Sequence, residues 1–194
     1  MPKKIDHEAR RRDIAEAAIQ VIGDQGIDNT RLVDVARAAN ATTGSITHYF
    51  EGKDALLLAA LDHVAQSILY QIGEIGPEAD LIGRACEILP VDEEGMRDWR
   101  VWLCFIGRAV ADPALASINK AYYEEFCAGV AKLIRAQQVA GKLSTAIDPP
   151  TTADAIVAAV DGISLRATLE PEDWPAERQR RQLETMLRPL LPAR

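Results

Sequence analysis

The chain has 194 residues, of which 48% are hydrophobic and only 5% aromatic, and its formal net charge is −7. This length fits one large domain, or a small domain joined to a larger one, with a core of aliphatic side chains that favours helices over sheets. So acidic a chain is not a protein that simply coats nucleic acid.

The charge is unevenly distributed along the chain. Residues 1–53 contain eight Lys or Arg and eight Asp or Glu, so the seven excess negative charges all fall in the remaining 141 residues. The first 12 residues are basic, with an arm that runs from Lys3 to Arg12. An acidic body with a neutral head and a basic arm is compatible with a localised phosphate-binding face.

The first residues, MPKKIDHEARRRD, carry both signs of charge and no apolar run, so we expect no export signal. No later segment holds about 18 uninterrupted apolar residues, and we therefore expect a cytoplasmic protein with no membrane partner. Cys86, Cys104 and Cys127 stand far apart without a CxxC pair or a nearby His. That spacing predicts no metal site and no disulfide; we interpret the three as buried thiols, with a redox sensor as the alternative.

Apolar residues at helical spacing predict a first helix over 7–22, ended by Gly23 and Gly26. Thr30 is the predicted N-cap of a short second helix, and a third short helix is predicted over about 43–50 behind Thr42 as N-cap.

From Lys53 a longer amphipathic run predicts a fourth helix that ends near the glycines and proline of GEIGPEAD, and we place the change of domain along it. Beyond Pro77, proline and glycine punctuation predicts helices over about 78–89, 92–110, 113–140, 151–169 and up to about 190, with Thr151 as an N-cap and Pro175 in a first turn. The predicted fold is all-α with about nine helices: a head over 1–53 and a larger body over 54–194.

Two short helices packed on a longer first one form a helix-turn-helix, in which the second of the pair enters the major groove of DNA. At 100° per residue, Ile46 and Phe50 lie on the inward face of the third helix. The outward face and its flanks carry small, hydroxylated and aromatic side chains: Thr43, Gly44, Ser45, Thr47, His48 and Tyr49.

This composition suits a surface that approaches base edges closely. Gly44 lets backbone come near DNA, while Thr43 and Ser45 can exchange hydrogen bonds with bases or touch a thymine methyl. We expect phosphate contacts from helix starts and cations, at Thr30 and Arg31 on the second helix and at Lys53 on the fourth.

Residues 10–57 closely resemble the DNA-binding domain of the TetR family of bacterial transcriptional regulators. The motifs VARAA, TTGSITHYF and KDALL at this spacing carry the resemblance. It implies that the six outward residues of the third helix face the groove and that Lys53 contacts phosphate. Two positions depart from the family pattern: Asn40 replaces the usual turn glycine, and Thr47 stands where Tyr is common.

The body must sense a ligand, pair with another chain, or both. Six of its aromatic residues cluster on two successive predicted helices and are the candidate lining of a small-molecule site: Trp99, Trp102, Phe105, Tyr122, Tyr123 and Phe126. The alternative is an ordinary bundle core.

Part of the body also resembles the C-terminal domain of the choline-responsive repressors of glycine-betaine synthesis, through WRVWLCFIGRAVADPAL, AYYEEF and VDGISLRATL. A cationic effector would require aromatic faces and a carboxylate, for which Trp99, Trp102, Tyr122 and Glu125 are the candidates.

The last two helices carry apolar strips, one around Gly162 and one over 176–191. In TetR-family proteins the corresponding helices form a four-helix bundle with a second subunit, so the resemblance implies a homodimer through these helices. The strips are Ala155, Ile156, Ala159, Val160, Ile163 and Leu165 on one helix, and Leu183, Met186, Leu187, Leu190 and Leu191 on the other.

The sequence therefore predicts a dimeric, ligand-responsive regulator, most simply a repressor that binds a palindromic DNA operator without a cofactor. An enzyme is the first rival, but no GxSxG, HExxH, P-loop or dinucleotide motif is present, and we assign no catalytic residue. The second rival is a helical protein-interaction module that does not bind an operator.

Overall fold

The computed structural model describes residues 7–73, 76 and 79–193. Within these ranges the chain forms nine α-helices and a final 3₁₀ turn, with one isolated bridge between Leu143 and Ala193 and no strand. The helices are α1 His7–Gln25, α2 Leu32–Ala38, α3 Thr43–Tyr49, α4 Gly52–Gly73, α5 Leu81–Glu87, α6 Glu93–Ala109, α7 Pro113–Val139, α8 Pro149–Leu169 and α9 Ala176–Leu187, followed by the turn Arg188–Leu190. The predicted all-α class is confirmed.

Helices α1 to α3 and the start of α4 form the head around one apolar core. Ile14, Ala18 and Ile22 of α1 meet Val35 of α2 and Ile46 of α3 there. Helices α2 and α3 have only seven residues each, too few to be stable alone in water. They are helical because each presents one apolar face to α1.

The turn between α2 and α3 requires a left-handed residue. Asn40 has φ 46° and is the one non-glycine residue with positive φ among the described residues. Behind it, the Ala41 amide donates to the Ala36 carbonyl at 2.8 Å, which closes the end of α2. Asn pays less than most residues for this conformation, so the tight turn forms without the usual glycine.

Two predicted N-caps are wrong. Thr30 is fully buried and its hydroxyl donates to the Gly26 carbonyl at 2.8 Å, so Arg31 takes the cap position of α2 without a side-chain cap. Asp148, and not Thr151, caps α8: its carboxylate accepts from the Thr151 amide at 3.0 Å. In both cases a favourable residue lies near the helix start, but a neighbour occupies the position at which the helix begins.

The body comprises the second half of α4 and helices α5 to α9. Helix α4 is long and apolar enough by composition to cross a membrane. Its apolar residues are explained by packing, because Leu57 and Val64 belong to the head core while Leu61 and Ile72 belong to the body core. The prediction that the fourth helix serves both parts agrees with this packing.

Helix α6 is shared between head and body in the same way. Val101 is buried in the head core, whereas Trp102 and Phe105 are buried in the body core. Gly23 permits the close approach of α1 to α6: a β-carbon on Gly23 would lie 2.9 Å from Arg97 Cβ and 3.0 Å from Arg97 Cα. Neither atom can move without moving the helix.

We therefore predict that Gly23→Ala lowers the free energy of unfolding by about 1 to 3 kcal/mol, because the added methyl overpacks the contact between α1 and α6. Gly107→Ala is the matched control, since a β-carbon at that exposed α6 position meets nothing within 4 Å. It should stabilise the helix by roughly 0.5 to 1 kcal/mol. Urea unfolding of both variants measures the difference, and equal stability would contradict the close packing.

Candidate nucleic-acid interface and effector cavity

Helix α3 is held at its start by its own side chains. Thr42 is the N-cap and accepts from the Ser45 amide at 3.1 Å, as predicted. Ile46 and Phe50 are buried in the head core. These contacts use only the inward face and the first turn, so the exposed outward residues do not pack against the head core.

That outward face holds the predicted groove-facing residues together. Thr43, Gly44, Thr47 and His48 are exposed, and Ser45 and Tyr49 lie half-buried at its sides. A β-carbon on Gly44 would find only the Thr42 hydroxyl within 4 Å, at 3.9 Å, and the backbone there is ordinary helix. The fold itself therefore does not require glycine at position 44.

Two arginines of α1 fix α3 from outside. Arg10 donates to the Asn40 carbonyl at 3.3 Å, and Arg11 donates to the Tyr49 carbonyl at 3.2 Å. The Arg11 guanidinium also stacks over the Phe50 ring at 4.6 Å from its centroid. Arg10 and Arg11 belong to the basic arm predicted from the sequence. In the fold their side chains contact the two ends of α3 and so orient that helix. Lys3 and Lys4 of that arm lie outside the described residues.

A ring cluster extends this support at the end of α3. The Tyr49 hydroxyl lies 3.1 Å from His7 Nδ1, and the His48 and Tyr49 rings meet edge to face at 5.2 Å. Sequence reasoning gave His7 no role. Only the fold brings it to Tyr49, across 42 positions of chain.

The three residues predicted to contact phosphate differ in their burial and in the partners that they already have. Thr30 is buried, so its side chain is not accessible to a phosphate, which corrects that part of the prediction. Arg31 is exposed and pairs with Asp34 through two hydrogen bonds at 2.8 and 3.0 Å, which lowers the pKa of Asp34. Lys53 donates to the Asp28 carbonyl at 3.0 Å, so its ammonium ties α4 to the loop after α1.

The body contains a cavity of about 140 Å³ between five helices. Its walls are mainly apolar, from Ile68 and Ile72 of α4, Leu133 of α7 and Val160 of α8, among others. A space of this volume accepts a molecule about the size of benzene. The contributions of α4, α5 and α8 were not predicted, because no local pattern reports which helices enclose a space.

Three of the six predicted ligand residues line this cavity: Trp99, Trp102 and Phe126. Trp99 also donates from Nε1 to the Ile88 carbonyl at 2.8 Å, which fixes its ring. Trp102 is the centre of an aromatic cluster and lies 5.8 Å from the Phe126 centroid.

The other predicted ligand residues need correction. Phe105 is fully buried outside the cavity lining. Tyr122 and Tyr123 do not line it either; their hydroxyls donate to Asp62 at 3.0 Å and to Asp161 at 2.6 Å. Glu125, the suggested carboxylate, is exposed on α7 and does not line the cavity.

Three carboxylates line the cavity: Glu87 of α5, Asp98 of α6 and Asp161 of α8. Glu87 pairs with Arg84 at 2.6 Å, which leaves Asp98 and Asp161 without a cationic partner. Burial raises the pKa of Asp98 to about 6, with repulsion from Glu94 and Asp92 adding to it. Burial likewise raises the pKa of Asp161 to about 6, against the lowering effect of the Tyr123 hydrogen bond. Asp98 stands directly before Trp99 in the chain, a juxtaposition that could have been noticed in the sequence.

The cysteines show no sign of activation. Burial raises the pKa of Cys86, and burial together with Asp154 raises that of Cys127 to about 11, so neither forms a thiolate readily. Among residues 7–73, 76 and 79–193, no group of three or more His, Cys, Asp or Glu side chains is placed to hold a metal ion.

The exposed apolar stripe on α8 is not the one predicted. Ile156, Ala159, Val160 and Ile163 are buried within this chain, as are Leu183 and Leu187 of α9. The outward stripe on α8 repeats every three or four residues; its members are Ala155, Ala158, Gly162, Leu165 and Leu169, and Met186 of α9 is also exposed. Of the residues predicted for the apolar face, Ala155, Leu165 and Met186 thus keep accessible surface, and the buried ones do not.

Three arginines of α6 connect the cavity helix to the head. Arg97 pairs with Asp24 at 3.1 Å, and Arg100 donates to the Gly23 carbonyl at 3.1 Å. Arg108 pairs with Asp54 and lies 3.7 Å from Asp28. We name these three the arginine latch. They lie on the face of α6 opposite Asp98, Trp99 and Trp102.

Comparison with known proteins agrees with this architecture. Residues 14–60 match the family model for bacterial regulatory proteins of the tetR family, and residues 77–192 match the model for the BetI-type transcriptional repressor C-terminal domain. The transcriptional regulator PksA of Bacillus subtilis is 30% identical over 88% of this chain and 84% of its own. The regulator BetI of Burkholderia thailandensis is 30% identical over 76% of this chain and 83% of its own.

Solved structures share the fold. A putative transcriptional regulator from Saccharomonospora viridis, in complex with choline, superposes with a TM-score of 0.78 at 24% identity, over 96% of this chain and 99% of its own. The multidrug binding protein EbrR, complexed with imidazole, gives 0.63 at 31% identity over 100% and 95%. The chain therefore belongs to the TetR family of ligand-responsive, DNA-binding transcriptional regulators, with a C-terminal domain of the BetI type.

Proposed function

We propose that this protein is a cytoplasmic, homodimeric repressor that binds a palindromic operator through α3 and leaves it when a small cation enters the cavity. Two α3 helices would occupy successive major grooves, about 34 to 36 Å apart. Because one short helix reads few bases, the second copy supplies much of the specificity.

The observation that carries this proposal is the contrast between the packed inward face and the exposed outward face of α3. Its inward face is packed, its cap is made, and α1 contacts the chain at both of its ends, while Thr43, Gly44, Thr47 and His48 of the outward face are exposed. The fold does not require Gly44, but a nearby DNA backbone or base edge would. With no Arg or Gln on that face, small contacts and DNA shape would carry the base preference.

The cavity supports a cationic effector. Asp98 and Asp161 are carboxylates in a mainly apolar space with aromatic walls, and such a site stabilises an organic cation by charge and by cation–π contact. A similarly folded regulator binds choline, although at that identity the likeness extends to the fold alone.

Helix α6 supports a route from the cavity to the head. A ligand that contacts Trp99 or Trp102 touches the helix that carries the arginine latch on its other face. Movement of α6 would change the contacts with Asp24 and Asp54 and so the orientation of the head. The ligand can shift this equilibrium only by its differential affinity for the two orientations.

The apolar stripe on α8 supports pairing with a second copy. Leu169 is 69% exposed and Leu165 and Met186 are each more than 40% exposed, beside the small residues Ala158 and Gly162 that allow close helix contact. These residues, and not the buried ones named from the sequence, are our proposed dimer face.

We also propose that the protein acts by binding and not by catalysis, because the described cavity lining offers the Ser67 hydroxyl no histidine that could serve as its general base. Selection of DNA duplexes from a random pool by the purified protein tests the main proposal. A palindrome with half-sites one turn apart is the expected product. Selection of no sequence would favour an interaction module without an operator.

Gly44→Ala separates a reading role from a structural one. The methyl has room in the free protein and replaces a helical glycine, so stability should rise by up to about 1 kcal/mol. Operator affinity should fall about tenfold or more, since the methyl meets DNA. Gly107→Ala adds the same methyl far from α3 and should leave affinity unchanged. Unaltered binding by Gly44→Ala, measured by fluorescence anisotropy, would place DNA elsewhere.

Lys53→Ala and Ser45→Ala should differ in kind. Loss of the Lys53 ammonium should weaken binding to every DNA sequence and reduce the slope of log K against log salt by about one. Loss of the Ser45 hydroxyl should change base preference at one position of each half-site and leave that slope alone. Salt titrations on operator and mutated operator measure both effects; a sequence-selective effect of Lys53→Ala would reverse the assignment.

Leu165→Glu should separate the subunits, because a carboxylate buried in an apolar interface without a partner is strongly unfavourable. We expect the dimer to dissociate at least tenfold more readily in sedimentation experiments, with a parallel loss of operator affinity. Val139→Glu, at a 91% exposed apolar position on α7, is the matched control and should remain dimeric. If Leu165→Glu stays dimeric, another face pairs the chains.

A further inference from the structure

The two cavity carboxylates have no cation of their own. Within the described part of the chain, no side-chain hydrogen bond or ion pair reaches the Asp98 carboxylate. The Asp161 carboxylate accepts one hydrogen bond, from the Tyr123 hydroxyl at 2.6 Å. Arg84 is the basic residue of the described cavity lining, and it pairs with Glu87 at 2.6 Å. The lining therefore holds two carboxylates without a counter-charge.

Both carboxylates adjoin the same aromatic cluster. Asp98 lies one helical turn before Trp102 on α6. Asp161 is joined through Tyr123, whose ring meets Trp102 edge to face at 5.9 Å. An elongated ligand crossing Trp102 and Phe126 would thus meet a carboxylate from α6 and another from α8.

Charge and size together narrow the ligand class. A single cation would leave the second carboxylate buried without compensation, which is costly in an apolar space. A volume of about 140 Å³ holds a molecule of roughly six to eight non-hydrogen atoms, by comparison with a 150 Å³ cavity that binds benzene. We infer that the effector is a short organic dication, of the class of four- or five-carbon α,ω-diamines, bound between Asp98 and Asp161. This inference rests on the proposed function.

The preference for a dication should depend on pH. Burial raises the pKa of Asp98 and of Asp161 to about 6, so both carboxyls are mainly ionised at pH 7.5 and a monocation neutralises only one of them. As pH falls below 6, protons occupy both carboxyls and the advantage of the dication should disappear. The other charged or titratable groups around this site are Arg84 and Glu87 of α5, Asp92 and Glu94 of α6, Asp62 of α4, Tyr123 and Cys127 of α7, and Asp154 of α8.

Isothermal titration calorimetry of the full chain with 1,4-diaminobutane, butylamine and tetramethylammonium tests the inference. At pH 7.5 the diamine should bind at least tenfold more tightly than the monocations. Asp98→Asn and Asp161→Asn should each remove that preference, while Glu172→Gln, at an exposed turn, should keep it.

Thermal unfolding checks that the variants fold. Both pKa values are raised in the folded chain, so the cost of each buried charge is present above about pH 6 and is lost as pH falls from 6 towards 4. Asp98→Asn should therefore melt no lower than the parent at pH 7.5.

Equal binding of diamine and monocations, or dependence on only one carboxylate, would overturn the inference. Operator release by tetramethylammonium would then leave the proposed function standing, whereas absence of operator binding would refute the proposed function even if the diamine binds.

Discussion

The contact between α1 and α6 at Gly23 is the constraint on which the rest of the molecule depends. Helix α6 has one face in each part of the protein: Val101 and the arginine latch belong to the head side, and Trp99, Trp102 and Asp98 belong to the cavity side. Because Gly23 lets the backbones touch, α6 cannot shift against the cavity without pushing on α1. Helix α1 also contacts α3 and the turn before it through Arg10 and Arg11. Direct contacts therefore connect the cavity side of α6 with α3, the proposed DNA-reading helix.

The free energies of the contacts between α6 and the head are small. The ion pairs of the arginine latch are solvent-exposed on their acidic side, and exposed pairs contribute about 0 to 1 kcal/mol each. Their total is therefore comparable with the 1 to 3 kcal/mol that typically couples two sites. The buried packing at Gly23 and Val101 sets the geometry of the head, and in the proposed switch the latch would supply a bias small enough for one bound ligand to overcome.

The sequence predicted the fold well because its information is local. Period-3.6 spacing and proline or glycine punctuation predicted the helices α1 to α9, and the motif TTGSITHYF predicted the cap and the buried face of α3. The errors arose where a choice between neighbours depends on tertiary contacts. Thr30 resembles a cap, but its hydroxyl is buried on Gly26; Thr151 resembles a cap, but Asp148 begins the helix. Only three of the six predicted residues line the cavity, since helices far apart in the chain contribute most of its walls and Tyr122 and Tyr123 turn to Asp62 and Asp161 instead.

The cavity carboxylates link the proposed effector site to the proposed switch. Keeping Asp98 charged in a mainly apolar space costs stability. A cation bound between α6 and α8 would relieve that cost and favour an arrangement in which both helices contact it. Since α8 also carries the apolar stripe Ala155 to Leu169, such a ligand would act on the head of one chain and on the proposed dimer face at the same time. A dimer would therefore respond to its ligand through the spacing of its two heads, the quantity on which recognition of a two-half-site operator depends.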